Sequence, residues 1–239
     1  MYEDLKQRVY EANMKLRDYG LAPFTWGNVS ECSRPDGVFA IKPSGVSYDE
    51  LTPDKIVVVN FDGKVVDGDL KPSSDTMTHA VLYRKFLSIG GVAHSHSINA
   101  VAFAQAGYPI PAFGTTHADF AYGEIPCTRK MKDEEVEYYY EYNTGMVIVE
   151  CFREKKLDEN NIPACLVKNH GPFTWGKSAM EAVEHAATLE IVAEMAIKTL
   201  TVKNFAYKKE FNSMPKNLLD KHFRRKHGKD AYYGQIQNK

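Results

Sequence analysis

The chain has 239 residues, of which 44% are hydrophobic and 26% are charged, and its formal net charge is -1. This length allows one large α/β domain, so we expect a single domain over residues 1–239, and the near-zero charge excludes a strong overall attraction to nucleic acid or to an anionic membrane. The four cysteines lie far apart and form no C-x-x-C pair, which favours buried free thiols over a disulfide framework or a thiolate zinc site.

The first half of the chain begins without the basic and apolar segments of a secretory signal. The elements predicted there are a helix over 3–19 ended by Gly20, short β-like pieces over 25–45, a hairpin over 56–66, and a helix after 72–75 that ends before Gly90. Ser73, Ser74 and Asp75 are expected to cap that last helix. No apolar run reaches the roughly 20 residues of a membrane span, so we expect a cytoplasmic protein.

The second half carries more helical patterns. The predicted elements are helices over 98–106 and 131–142, strands over 146–150 and 164–167, a long helix over 177–200, and a helix over 218–223 followed by a basic, aromatic end. This order predicts an α/β protein in which helices cover a central sheet that is mixed or antiparallel.

A His-x-His pair ends the apolar run that begins at Gly90. On a strand, His94 and His96 would lie roughly 6 to 7 Å apart between Cα atoms and on one face, so both imidazoles would reach one metal ion. Asp75 lies upstream, and His170 lies in a loop between an apolar segment and a helix. Three imidazoles and a carboxylate suit zinc, with room for substrate. The chain has eight histidines, so a chance pair of structural imidazoles is the alternative.

Three small polar turns offer backbone N–H groups and short donors. They are Gly27-Asn28, Ser44-Gly45 and Ser73-Ser74, and the last would stand at a helix N-terminus, where the dipole favours a phosphate. Lys42 would add a full positive charge. Ordinary turn and cap chemistry is the alternative for each turn taken alone.

Two residues are candidates for proton transfer. Asp119 ends a polar cluster that starts at Gly114, and Tyr233 lies near the end of the chain, where a phenol would reach the site of another subunit. Loop capping is the alternative for Asp119, and a terminal apolar anchor is the alternative for Tyr233. The basic run 224–226 is more typical of a solvated face than of an anion clamp.

Taken together, these motifs resemble a known family. They are Thr25-Trp26-Gly27-Asn28-Val29-Ser30, Lys42-Pro43-Ser44-Gly45-Val46, Lys71-Pro72-Ser73-Ser74-Asp75-Thr76, His94-Ser95-His96, Gly114-Thr115-Thr116-His117-Ala118-Asp119, Ile125-Pro126-Cys127-Thr128-Arg129 and Asn169-His170-Gly171-Pro172-Phe173. The likeness is to the L-ribulose-5-phosphate 4-epimerases of the zinc-dependent class II aldolase and epimerase family, and it runs from Leu5 to Gln235. The end of the chain resembles the epimerase branch in particular.

The resemblance implies a three-layer α/β/α fold with a mixed, largely antiparallel sheet, assembled as a homotetramer with sites near subunit boundaries. The zinc ligands that it implies are Asp75, His94, His96 and His170, and Mn²⁺ or Co²⁺ would suit the same N/O ligands. The substrate-binding residues that it implies are Gly27, Asn28, Lys42, Ser44, Gly45, Ser73, Ser74, His222 and Arg225, the last two from a tail over about 216–239. Asp119 and Tyr233 match the acid and base residues, with the tyrosine supplied by a neighbour.

The implied reaction interconverts L-ribulose 5-phosphate and D-xylulose 5-phosphate. The hydrogen on C4 is not acidic enough for deprotonation, so inversion proceeds through cleavage and re-formation of the C3–C4 bond. Arabinose breakdown and an ascorbate-type route both remain open as the pathway of this reaction.

Three alternative functions also remain: an aldolase that releases both fragments, a noncatalytic module, and a structural zinc domain with a closed ligand shell. Asp75 argues against the first, because sugar-phosphate aldolases of the family typically place a glutamate base there.

Overall fold

A computed structural model describes residues 2–205 and 213–227 of the chain. Seven strands form one sheet in the order β4-β3-β2-β1-β5-β7-β6. They are β1 (Asn28–Ser33), β2 (Val38–Ile41), β3 (Val57–Asn60), β4 (Val65–Asp67), β5 (Gly91–His94), β6 (Ala164–Val167) and β7 (Gly171–Gly176). Every pairing between neighbouring strands is antiparallel, which is one of the two arrangements expected, mixed or antiparallel. One isolated parallel bridge joins Cys127 to Leu166.

Eight α-helices accompany the sheet within the described residues. They are α1 (Glu3–Asp18), α2 (Thr76–Lys85), α3 (Ile98–Ala106), α4 (Thr115–Phe120), α5 (Asp133–Glu137), α6 (Tyr140–Lys155), α7 (Ala179–Phe205) and α8 (Lys216–Lys226). None of these eight is both long enough and apolar enough to span a lipid bilayer.

The sheet is covered on both faces, as alternation along β2 shows. Val38 and Ala40 pack into a core with α1 and the first half of α7. Phe39 and Ile41 pack into a second core with α2, α3 and α6. Because successive side chains of a strand point to opposite faces, the two cores lie on opposite sides of the sheet. The expected three-layer α/β/α fold is confirmed.

The sequence expectations fail between residues 131 and 155. The predicted helix over 131–142 is split into α5 and the start of α6, because Tyr139 adopts a left-handed backbone with φ 57°. The strand predicted over 146–150 lies inside α6. Its apolar residues repeat with a helical period, with Ile148 and Phe152 buried four residues apart.

Candidate metal centre and pocket

His94 ends β5, an interior strand of the sheet. In register it faces Asn28 of β1 on one side and Phe173 of β7 on the other. Its ring stacks on Phe173, with centroids 4.2 Å apart, and its Nδ1 lies 2.9 Å from the carbonyl oxygen of Pro172. Since a carbonyl only accepts, Nδ1 carries the hydrogen, and in a neutral imidazole this leaves the lone pair on Nε2.

His96 and His170 bring two further imidazoles to this nitrogen. The strand ends at His94, so the expected placement of His96 on the same strand is wrong, yet its Nε2 lies 3.1 Å from that of His94. His170 arrives from the turn between β6 and β7, after Asn169 in a left-handed conformation with φ 63°. Ligand atoms of the three imidazoles all lie within 4.8 Å of one another.

These three residues, His94, His96 and His170, are called the imidazole trio below, and their arrangement fits a divalent cation. Two nitrogens on a tetrahedral zinc with bonds of about 2.0–2.1 Å stand about 3.3 Å apart, which is close to the observed 3.1 Å. Burial, and then the neighbouring His94, lower the pKa of His170 to about 3, and burial lowers the pKa of His96. Both imidazoles are therefore neutral near pH 7, as metal ligands must be.

Asp75 lies in the same pocket outside the trio. Its carboxylate accepts a 2.6 Å hydrogen bond from the Asn28 amide, and it does not cap α2 through its side chain as expected. Burial opposes its ionisation, but the neighbouring His94 and His79 and the Asn28 bond outweigh burial and lower the pKa of Asp75. An ionised, mostly buried carboxylate is thus available beside the imidazoles.

A pocket of about 580 Å³ opens over these groups. Its lining consists of Thr25, Trp26, Gly27, Asn28, Lys42, Pro43, Ser44, Gly45, Ser73, Ser74, Asp75, His94, His96, Tyr140, Glu141 and His170. Gly27 has φ +74°, and a Cβ there would come within 2.9 Å of the His94 carbonyl oxygen. The fold therefore brings the four expected metal ligands and the three polar turns into one cavity.

Two lining residues were not expected from the sequence, Tyr140 and Glu141. Both fall in the last turn of the helix predicted over 131–142, a position that gives no reason to single them out. The tyrosine run 138–140 was visible, but nothing in the sequence indicates the helix break that turns one tyrosine inward.

Asp119 and His222 lie together but do not line the pocket. Asp119 belongs to the short helix α4 rather than to a loop, and its carboxylate is 3.2 Å from Nδ1 of His222 and 3.5 Å from Nζ of Lys226, both on α8. Arg225 also lies on α8, and its side chain is outside the described residues, as is the whole of Tyr233.

The fold and the imidazole trio define a class of protein, and comparison with known families identifies it. The family model for the class II aldolase and adducin N-terminal domain matches residues 7–197. The chain belongs to this family.

Individual relatives refine the likeness. The chain is 51% identical over 233 residues to the L-ribulose-5-phosphate 4-epimerase UlaF of Salmonella paratyphi C (strain RKS4594), covering 98% of this chain and 99% of that protein. Among solved structures it is similar to an L-fuculose 1-phosphate aldolase, with a TM-score of 0.74 and 24% identity over 92% of this chain and 94% of that one. It is also similar to L-fuculose 1-phosphate aldolase from Glaciozyma antarctica PI12, with a TM-score of 0.73 and 18% identity over 97% and 84% of the two chains. At these identities the structural matches establish the fold alone.

Proposed function

We propose that the protein is an L-ribulose-5-phosphate 4-epimerase, which interconverts L-ribulose 5-phosphate and D-xylulose 5-phosphate. The observation that carries the proposal is the single pocket in which the imidazole trio, Asp75 and the polar turns meet, in a chain 51% identical over nearly its whole length to an epimerase of that name. We place the enzyme in the cytoplasm, on an arabinose or ascorbate-type route.

The metal site of this proposal uses His94, His96 and His170, with Asp75 as a fourth ligand. Zinc is the expected ion, since neutral imidazoles and a carboxylate suit it, and Mn²⁺ or Co²⁺ would suit the same donors. When bound, the cation supplies Lewis-acid polarisation of the substrate carbonyl.

The phosphate of the substrate is assigned to the polar turns of the pocket. Ser44, Ser73 and Ser74 offer hydroxyl groups there, and Gly45 and Ser74 offer backbone N–H groups. The backbone N–H groups of Ser44 and Ser73 already donate to the carbonyls of Lys71 and Lys42. Lys42 contributes an ammonium whose Nζ donates to the Val46 carbonyl at 2.7 Å. Hydrogen-bond donors and one cation around an anion are a common means of phosphate binding. Gly27 and Asn28 complete the substrate-facing wall.

Proton transfer at C4 is assigned to Asp119 and Tyr233. As the C3–C4 bond breaks, the C4 hydroxyl gives its proton to one of these residues and becomes the aldehyde of glycolaldehyde phosphate, while the bonding pair stays on the dihydroxyacetone fragment. The aldehyde turns and the bond re-forms on its other face, so the new alkoxide receives a proton from the other residue. Inversion needs one proton carrier on each side.

We propose that the active enzyme is a homotetramer with shared sites. Asp119 and His222 do not line the pocket of their own chain, so the assigned proton transfer requires the pocket of a neighbour. A second, largely apolar groove of about 580 Å³ between α3 and α7, which includes the exposed Tyr108, suits contact between copies. His222 and Arg225 would then approach the neighbour's substrate.

The test is to incubate the cation-loaded protein with L-ribulose 5-phosphate and to follow D-xylulose 5-phosphate. An epimerase converts one pentulose phosphate into the other and holds both fragments until they rejoin. Net accumulation of free glycolaldehyde phosphate and dihydroxyacetone would instead make the protein an aldolase. Failure to convert either pentulose phosphate would overturn the proposed function.

A further inference from the structure

Tyr140 is the first residue of α6, and the chain turns sharply to place it in the pocket. The preceding Tyr139 has φ 57° and is 82% exposed. The side chain of Asn143 bridges this break, because its Nδ2 donates to the carbonyls of Glu135 at 3.1 Å and Tyr138 at 2.7 Å. A non-glycine residue in the left-handed region persists where its surroundings hold it, and such positions cluster at functional sites.

The Tyr140 hydroxyl contacts an imidazole of the trio directly. Its oxygen lies 3.2 Å from Nδ1 of His170, and the two rings are stacked with an interplanar angle of 27°. An imidazole that ligates a metal is neutral and has one N–H. Because Nε2 of His170 must offer a lone pair to a cation in the trio, that N–H is on Nδ1, and it donates to the phenol oxygen.

The other two imidazoles are held differently. His94 donates to the backbone carbonyl of Pro172, and within the described residues the ring of His96 has no such second acceptor but lies beside Trp26, with centroids 6.0 Å apart. His170 is therefore the imidazole whose orientation depends on a removable side-chain group.

The hydrogen of the Tyr140 hydroxyl is left for another acceptor. The phenol oxygen accepts from His170, and the side chain lines the pocket in which the substrate would bind. A phenolic hydroxyl has one hydrogen to donate and an oxygen that accepts, so this one group can contact both His170 and an oxygen of the substrate.

We infer that Tyr140 is a positioning residue whose single hydroxyl contacts both a metal ligand and the substrate. Its oxygen accepts from His170 and orients that imidazole toward the cation, and its hydrogen donates to an oxygen of the sugar phosphate. The substrate half rests on the proposed function, whereas the metal half rests on the imidazole trio alone.

The decisive variant is Tyr140→Phe, which keeps the ring and removes only the hydroxyl, with Tyr139→Phe as the matched exposed control. Competition with a chromophoric chelator measures Zn²⁺ affinity without any substrate. We expect Tyr140→Phe to bind Zn²⁺ about 10- to 100-fold more weakly, as is typical when a ligand loses its hydrogen-bonding partner, and Tyr139→Phe to match the wild type. Equal affinity in Tyr140→Phe would overturn the metal half.

With Zn²⁺ at saturation, the KM for L-ribulose 5-phosphate in Tyr140→Phe should rise about tenfold, the scale of one lost hydrogen bond, with a smaller change in kcat. An unchanged KM would overturn the substrate half. An inactive wild type would count against the proposed function and leave the chelator result intact.

A measurement on the wild type covers the case in which Tyr140→Phe does not fold. In the metal-free protein with ¹⁵N-labelled imidazoles, the chemical shifts of His170 should show hydrogen on Nδ1. Hydrogen on Nε2 would overturn the inference.

Discussion

Lys42 is a buried ammonium in a pocket proposed to bind a phosphate. Only 2% of the residue is exposed, its Nζ donates to the carbonyl of Val46, and the ring of Tyr48 lies 4.9 Å away. Burial lowers the pKa of Lys42 to about 8. Lys42 therefore loses, near pH 8, the positive charge that would hold a phosphate, and kinetic measurements can cover this pH.

Binding and folding should respond to this titration with opposite signs. As the pH rises through about 8, Lys42 loses its proton, and the KM for L-ribulose 5-phosphate should increase, approaching tenfold per pH unit. An unfolded lysine keeps its proton to about pH 10.4, so between these values the unfolded state binds more protons and the free energy of unfolding should rise with pH.

Kinetics and urea unfolding between pH 7 and pH 10 check the two signs. Lys42→Gln should raise the KM at pH 7 and remove the rise above pH 8, whereas Lys64→Gln in the exposed hairpin should behave as the wild type. A KM in the wild type that stays flat up to pH 9.5 would remove Lys42 from phosphate binding.

The variant His96→Ala tests whether the bound cation has a catalytic or a structural role. The ring is part-exposed and lies after the end of β5, so its removal leaves the sheet and both cores intact. We expect bound Zn²⁺ to be lost and epimerisation to fall to the assay background, with the metal-free free energy of unfolding changed by less than about 0.5 kcal/mol. Metal analysis and circular dichroism measure both. Collapse of the fold together with loss of the ion would favour the structural alternative.

At the scale of single elements, the sequence predicts best where one local signal is strong. The helix Ile98–Ala106 has the bounds that the sequence predicts. Gly107, in the left-handed region with φ 72°, is the signal that ends it. The apolar run 146–150 fails because a short run of this kind suits a strand and a buried helix equally, and packing of α6 against α2 decides.

The two glycines before the His-x-His pair have a role that only the fold makes visible. A Cβ on Gly91 would overlap the backbone carbonyl of Ser178, and one on Gly90 would overlap that of Lys177, where the start of β5 passes under the start of α7. The sequence shows an apolar run there but not this close approach of two backbones.

Gly91→Ala should therefore be severely destabilising. The added methyl meets backbone rather than a flexible side chain, so the strand that carries His94 must shift, and we expect a loss of about 3 kcal/mol or more, at the upper end of overpacking costs. Gly114→Ala is the control, because no atom lies within 4 Å of a Cβ there. Thermal unfolding of both variants measures the difference. Equal midpoints would show that the backbones of β5 and α7 can move apart at this contact without loss of stability.

At the scale of the whole molecule, the sequence motifs identify the residues that form the pocket, but they do not show which chain supplies each residue. The imidazoles and polar turns, which lie at or near the ends of strands and helices, converge as the motifs indicate. Asp119 belongs to the same set of motifs, yet it packs against α8 beside His222. A single sequence does not state which chain's pocket a residue serves, since that depends on the assembly.

Mixed assemblies should reveal shared sites. Asp119→Asn and His96→Ala chains are each expected to be inactive alone. After unfolding, mixing in equal amounts and reassembly with Zn²⁺, a working site needs intact His96 from one chain and intact Asp119 from its neighbour. Each is present with a probability of one half, so activity should recover to about one quarter of the wild-type value in a closed ring of copies.

The matched control mixes His96→Ala with His170→Ala. Both imidazoles converge within one chain, so no assembly of these two variants contains a complete trio and activity should stay at background. Recovery in the first mixture but not in the second assigns Asp119 to the neighbouring pocket, because subunit exchange can repair only a site that two chains build together. Absence of recovery in both, in assemblies that light scattering shows to contain four chains, would assign Asp119 to the site of its own chain. An active Asp119→Asn protein would place Asp119 outside the reaction.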